Sequence, residues 1–184
     1  MPAALPGEGV FAASGTSFTI YNKREIDFGT GGARVARVFR STDRGRTWTV
    51  AETPIASANA SSGIFSITRI RNTVIAVGGD YKNPSRSDQV AAYSVDDGRT
   101  WRLAARQPGG FRSAVVTFSA ATNGEVTIAA GPTGEDTSHD GGVHWTRSGS
   151  LNLNAVAGTD AIHVWGDGPK GTIAHLIRGK KQNP

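Results

Sequence analysis

The chain has 184 residues and 24 glycines, nearly twice the usual share of about 7%, a composition of short strands and tight turns. Its formal net charge is +5, it has no cysteine, and it contains no run of 18 apolar residues. Disulfides, thiolate metal sites and a membrane-spanning helix are thereby excluded. The basic residues are scattered apart from Arg178-Gly-Lys-Lys181. No basic stripe is interleaved with aromatics, so nucleic acid is not an expected partner.

In chain order, Met1 to Glu8 lacks a basic region and an apolar stretch, and as written is not a signal peptide. Four groups of short apolar or β-branched runs follow, separated by turn residues. The first comprises Val10–Ala13, Ile26–Phe28, Ala36–Arg40 and Thr47–Val50. Gly63–Ile70, Thr73–Gly78, Val90–Ser94 and Trp101–Ala105 form the second. A third runs through Phe111–Phe118, Val126–Ala130, Thr137–Ser138 and His144–Arg147. The last has only Leu153–Ala157, Ile162–Trp165 and Thr172–Ile177, with no fourth strand after it. The expected units are 9–56, 61–107, 110–150 and 151–178, followed by a basic tail at 179–184.

Three of these units share an octapeptide. Ser41-Thr-Asp43-Arg-Gly45-Arg-Thr47-Trp48, Ser94-Val-Asp96-Asp-Gly98-Arg-Thr100-Trp101 and Ser138-His-Asp140-Gly-Gly142-Val-His144-Trp145 align without gaps. The pattern S-x-D-x-G-x-[TH]-W recurs at intervals suited to four-stranded propeller blades of about 40–50 residues. Its chemistry is that of a hairpin turn. The Asp carboxylate accepts hydrogen bonds from downstream N–H groups, the Ser adds a second local bond, and Gly supplies a positive φ. The Trp covers the hairpin and needs a partner for its indole N–H. Each position has a structural task, so the three Asp residues are expected to be scaffold carboxylates. The fold expected is all-β: a β-propeller of about four four-stranded blades, the last incomplete, and thus a partial or half propeller.

These turns resemble the Asp-box, or BNR, repeats of sialidase-like propellers. Leu5–Thr16, Ala36–Trp48 and Ala76–Lys82 are further similar to the C-terminal half of bacterial propellers related to photosystem II stability and assembly factors, a group often called oxidoreductases. The resemblance implies a binding or assembly role, and export to the periplasm, although no signal peptide is visible; the residues themselves leave the compartment unknown.

A sialidase-like hydrolase is the alternative activity. That chemistry needs an arginine triad, a Tyr–Glu pair and an acidic partner, and only Arg112 begins an inner strand at the channel mouth. No catalytic residue is assigned. Gly166-Asp-Gly168-Pro-Lys-Gly171 matches G-x-G-x-x-G, but a strand-to-strand loop fits it better than a dinucleotide cradle. The four histidines lack metal-site spacing, and Asp96-Asp97-Gly98 is too short for a calcium loop. Neither cofactor nor metal is expected.

Binding is expected on the rim that carries the second-to-third-strand turns and the entries to the innermost strands. Candidates there are Glu8, Asp80, Tyr81, Lys82, Arg112 and Lys170, with Phe65 at a strand entry. The insertion from Gly78 to Gln89 is the longest loop on that rim. The expected partner is a protein or a carbohydrate. An arc with open edges is also expected either to pair with a second copy of itself or to behave as an unstable fragment.

Overall fold

A computed structural model of the chain describes residues 1–12, 15–120, 124–160 and 162–176. It contains four antiparallel meanders in which strand order follows chain order. Sheet 1 comprises β1 (Phe18–Tyr21), β2 (Glu25–Gly29), β3 (Ala36–Ser41) and β4 (Thr49–Thr53). Sheet 2 comprises β5 (Ser62–Ile70), β6 (Thr73–Asp80), β7 (Ala91–Ser94) and β8 (Arg102–Leu103). In sheet 3 these are β9 (Ala114–Ala120), β10 (Gly124–Gly131), β11 (Gly134–Ser138) and β12 (Thr146–Gly149). Sheet 4 has three: β13 (Ala155–Gly158), β14 (Val164–Gly168) and β15 (Thr172–Leu176), with a 3-10 turn at Pro169–Gly171 inside the G-x-G-x-x-G stretch.

Successive sheets pack face to face. β5 lies against β1 and β2, β9 against β5, and β13 against β9. Ala36 and Val38 of sheet 1 meet Ile64, Val74 and Ala76 of sheet 2. On its other face sheet 2 presents Ile75, Val77 and Ala91 to Val115 and Ala129 of sheet 3. A strand covered on both faces has no need of polar alternation. That is why Val74 to Val77 is an unbroken apolar run, buried throughout. Among the described residues, sheets 1 and 4 share no packing of this kind.

The junctions repeat one backbone contact. Ile64 N–H donates to Thr30 O at 3.1 Å, Arg112 N–H to Gly78 O at 3.1 Å, and Leu153 N–H to Gly131 O at 3.2 Å. Each bond ties an inner strand, or the residues leading into it, to the end of the second strand of the preceding sheet or the residue just after it. Gly78 is required at this stitch because a Cβ there would collide with the backbone carbonyl of Gly63.

Several strand bounds differ from the sequence expectation by two or three residues, and two of the differences change what lies at the rim and in the core. The first strand of sheet 1 is Phe18–Tyr21, whereas the segment beginning at Val10 crosses the rim and stacks Phe11 on Phe65 at 3.8 Å between ring centroids. Gly9 and Gly63 both bridge to Gly31, which holds that segment to sheets 1 and 2. β11 starts at Gly134, three residues before the expected Thr137, because Glu135 and Asp136 are buried charges that break the apolar pattern. The expected strand residues Ala13 and Ile177, and the basic tail 179–184, lie outside the described residues.

Candidate functional site

The three octapeptides form the turns between the third and fourth strands of sheets 1, 2 and 3, and their hydrogen bonds superpose in kind. Ser41 Oγ accepts from Gly45 N–H at 2.8 Å, and its hydroxyl donates to Asp43 Oδ1 at 2.9 Å. Asp43 Oδ1 accepts from Thr47 N–H at 2.8 Å and Oδ2 from the Thr47 hydroxyl at 2.6 Å. The Trp48 indole N–H reaches back to Gly45 O at 2.9 Å. Ser94, Asp96, Gly98, Thr100 and Trp101 make the same set. So do Ser138, Asp140, Gly142 and Trp145, with the His144 ring replacing the threonine hydroxyl.

These donors hold Asp43 at a pKa of about 2 and Asp96 lower still; hydrogen bonds from the threonine hydroxyl and N–H dominate in both. At Asp140 burial is the largest influence and opposes the fall, and the hydrogen bonds from His144 and Ser138 together outweigh it. One detail escaped sequence reading. Arg44, Asp97 and Gly141, each just before the turn glycine, also have positive φ, at 64°, 65° and 72°. Asp97 accepts that conformation while its carboxylate reaches the buried Arg69 at 3.1 Å and Arg40 of sheet 1 at 3.5 Å.

At the opposite rim the sequence-predicted residues separate into two groups. Glu8 and Arg112 are locked inside the structure. Glu8 takes two bonds from the Arg37 guanidinium, one of them 2.8 Å from Nε, and others from the Thr30 hydroxyl at 2.7 Å and Leu5 N–H at 2.8 Å. Burial would raise its pKa, but these bonds win and bring it down to about 2. Arg112 is fully buried and held by Asp136, with further bonds to Phe111 O and the Thr133 hydroxyl at 2.8 Å each. Its guanidinium faces protein rather than a channel mouth. Asp80 is likewise a loop organiser, accepting from Lys82 N–H at 3.0 Å and Asn83 Nδ2 at 2.7 Å.

Tyr81, Lys82 and Lys170 are exposed. Tyr81 joins a cluster in which Phe65 is central: Phe11 stacks on it, Phe111 meets it edge-on at 4.7 Å, and Tyr81 does so at 6.0 Å. Val10, Ala60, Ser113 and Asn154 complete the walls of a cleft of about 670 Å³ around these rings. Lys82 stands beside it in a second depression formed by Lys82 to Arg86, and Lys170 lies on the β14–β15 turn, outside the lining. Phe11 and Phe111 were not proposed as site residues from sequence. Their signal was available: an aromatic follows a glycine by one or two positions in Gly9-Val-Phe11, Gly63-Ile-Phe65 and Gly110-Phe111.

A xyloglucanase of the GH74 group from Xanthomonas campestris matches with a TM-score of 0.56 and 18% identity, over 82% of this chain and 26% of that one. The NanB sialidase from Streptococcus pneumoniae matches with a TM-score of 0.56 and 16% identity, over 81% of this chain and 26% of that one. Both are β-propeller folds. The chain is a partial β-propeller. Its four sheets are blades, and it spans about a quarter of each of these two larger proteins. YCF48 from Cyanidioschyzon merolae overlaps more loosely, with a TM-score of 0.43 and 18% identity over 87% of this chain and 53% of that one. No family profile and no curated protein matches the sequence.

Proposed function

We propose that this propeller segment is a non-catalytic binding module that takes a protein or carbohydrate ligand in the aromatic cleft at its upper rim. The observation that carries the reading is the ring cluster of Phe11, Phe65, Tyr81 and Phe111, left open beside a half-exposed Tyr81. Aromatic faces at a wet rim bind apolar surface, including sugar faces, at low conformational cost. Two charged groups expected at this rim are committed internally, Glu8 to Arg37 and Arg112 to Asp136. That arrangement suits a scaffold better than general acid–base chemistry, which needs a carboxyl group free to exchange a proton with substrate.

On this reading the S-x-D-x-G-x-[TH]-W turns are Asp boxes with a structural role, and the units 9–56, 61–107, 110–150 and 151–178 are successive blades. The sequence resemblance of Leu5–Thr16, Ala36–Trp48 and Ala76–Lys82 to photosystem II assembly-factor propellers favours an assembly role. Two of the fold neighbours are a xyloglucanase and a sialidase, so carbohydrates are the first probes. Xyloglucan oligosaccharides and sialyllactose are titrated calorimetrically, alongside an array of other glycans, against wild type and Tyr81→Ala. Binding without turnover is expected, weakened at least tenfold by Tyr81→Ala. Cleavage of a fluorogenic sialoside or aryl glycoside above the buffer rate would refute the non-catalytic reading, and undiminished binding by Tyr81→Ala would refute the site.

A further inference from the structure

The two ends of the blade series expose apolar faces that the internal junctions would bury. In sheet 1, Asp27 and Gly29 point toward sheet 2, where Asp27 meets Arg69 and Gly29 abuts Ile64. Strand alternation therefore places Ile26, Phe28 and their cross-strand partners Ile20, Phe18 and Phe39 on the opposite face. Phe18 is 47% and Ile20 60% exposed there. In sheet 4, Val156 and Val164 pack toward sheet 3. Trp165, Ile173 and His175 share the other face, with Trp165 stacked on His175 at 4.4 Å. Trp165 is 51% and Ile173 75% exposed. An apolar patch of this kind on each end is an association surface.

The internal junctions state what fits. The turn tryptophan of each blade packs toward the preceding blade: Trp101 joins the core between sheets 1 and 2, and Trp145 the core between sheets 2 and 3. Trp48 occupies the same place in sheet 1, edge-on to Phe28 at 5.3 Å, and stands at the uncovered face, still half-buried. Charges cross the rim of the octapeptide turns at the same junctions. Arg69 of sheet 2 binds Asp27 of sheet 1, and Arg71, at the first turn of sheet 2, reaches Glu125 at the second strand of sheet 3 at 3.6 Å. The first turn of sheet 4 carries Asp160, whose carboxylate also holds the His163 ring at 2.8 Å and the N–H groups of Ile162 and His163, and Lys23 and Arg24 precede the second strand of sheet 1. The ends are thus complementary in charge as well as apolar.

We infer that two copies of this chain join head to tail, the outer face of sheet 4 in one copy packing on the outer face of sheet 1 in the other, with Trp48 seated between them and Asp160 opposite Lys23. Used twice between the same two copies, this contact gives a closed head-to-tail pair. Light scattering on sizing chromatography of the whole chain is expected to give twice the 19.2 kDa chain mass, and dilution is expected to shift tryptophan emission to the red. Ile20→Lys and Ile173→Lys alter exposed positions and should each give a folded monomer by circular dichroism. Lys23→Glu and Asp160→Lys, each checked as folded by circular dichroism because Asp160 also holds its own turn, should weaken the dimer at least tenfold, while an equimolar mixture of the two restores it, because both contacts of the mixed pair are again complementary. A wild-type monomer at 100 µM overturns the inference. So does a dimer that survives both lysine substitutions, an open polymer, or a mixture that fails to restore pairing.

Discussion

Asp27→Ala probes the joint between the first two blades. The Asp27 carboxylate is fully buried, and its Oδ2 accepts from Arg69 Nε at 2.6 Å. Removing one partner of a buried ion pair costs about 3–5 kcal/mol, mostly the penalty of the charge left behind. Here Arg69 keeps Asp97 Oδ1 at 3.1 Å and the carbonyls of Asp97 and Arg71 at 3.3 and 3.4 Å. Asp27 Oδ1 already lacks a hydrogen-bond partner, so its deletion also relieves an unsatisfied atom. Both effects place the expected loss at the low end, about 3 kcal/mol, and Tm falls by about 6–12 °C for a chain of this size. Asn at the same position keeps an acceptor without the charge and should cost about 1–2 kcal/mol. Replacing both partners, as Asp27→Leu with Arg69→Met, removes the desolvation cost as well and should recover most of the loss. Urea unfolding followed by tryptophan fluorescence reads this joint directly, since Trp101 packs at the same junction. A loss under 0.5 kcal/mol for Asp27→Ala, or a double substitution as unstable as the single one, would refute the reasoning.

Two further outcomes test the rim and the turns. Glu8 titrates near pH 2 in the folded chain against an ordinary 4.5, so its stabilisation is complete above about pH 5 and fades as pH falls toward 2. With allowance for solvent at the rim, wild type should lose about 2 kcal/mol across that window relative to Glu8→Gln, measured by denaturation at each pH; parallel curves for the two proteins would contradict this. Ser94→Ala deletes the acceptor of the buried Gly98 N–H, a 2.8 Å bond, and should lower stability by about 1–3 kcal/mol, whereas ligand binding at the far rim keeps its affinity in the folded variant.

The blades were legible in the sequence because their signals are local. A turn such as Ser94 to Trp101 is built from atoms within four residues of one another, so S-x-D-x-G-x-[TH]-W specifies its own hydrogen bonds. Strand alternation and turn spacing then gave the four meanders and their order. Where burial depends on a distant partner, that reading failed: β11 hides Asp136 because Arg112, 24 residues away in sequence, neutralises it. The same non-local pairing took Glu8 and Arg112 out of the set of accessible rim groups, and folding Val10 to Ala12 across the rim brought Phe11 onto Phe65. The exposed faces of sheets 1 and 4 likewise follow from packing, since Ile20 and Val74 are equally apolar in sequence and only the neighbouring sheet decides which is covered. Local hydrogen bonding wrote the repeat into the chain, and contacts between repeats decided which side chains were left for a ligand or a second copy.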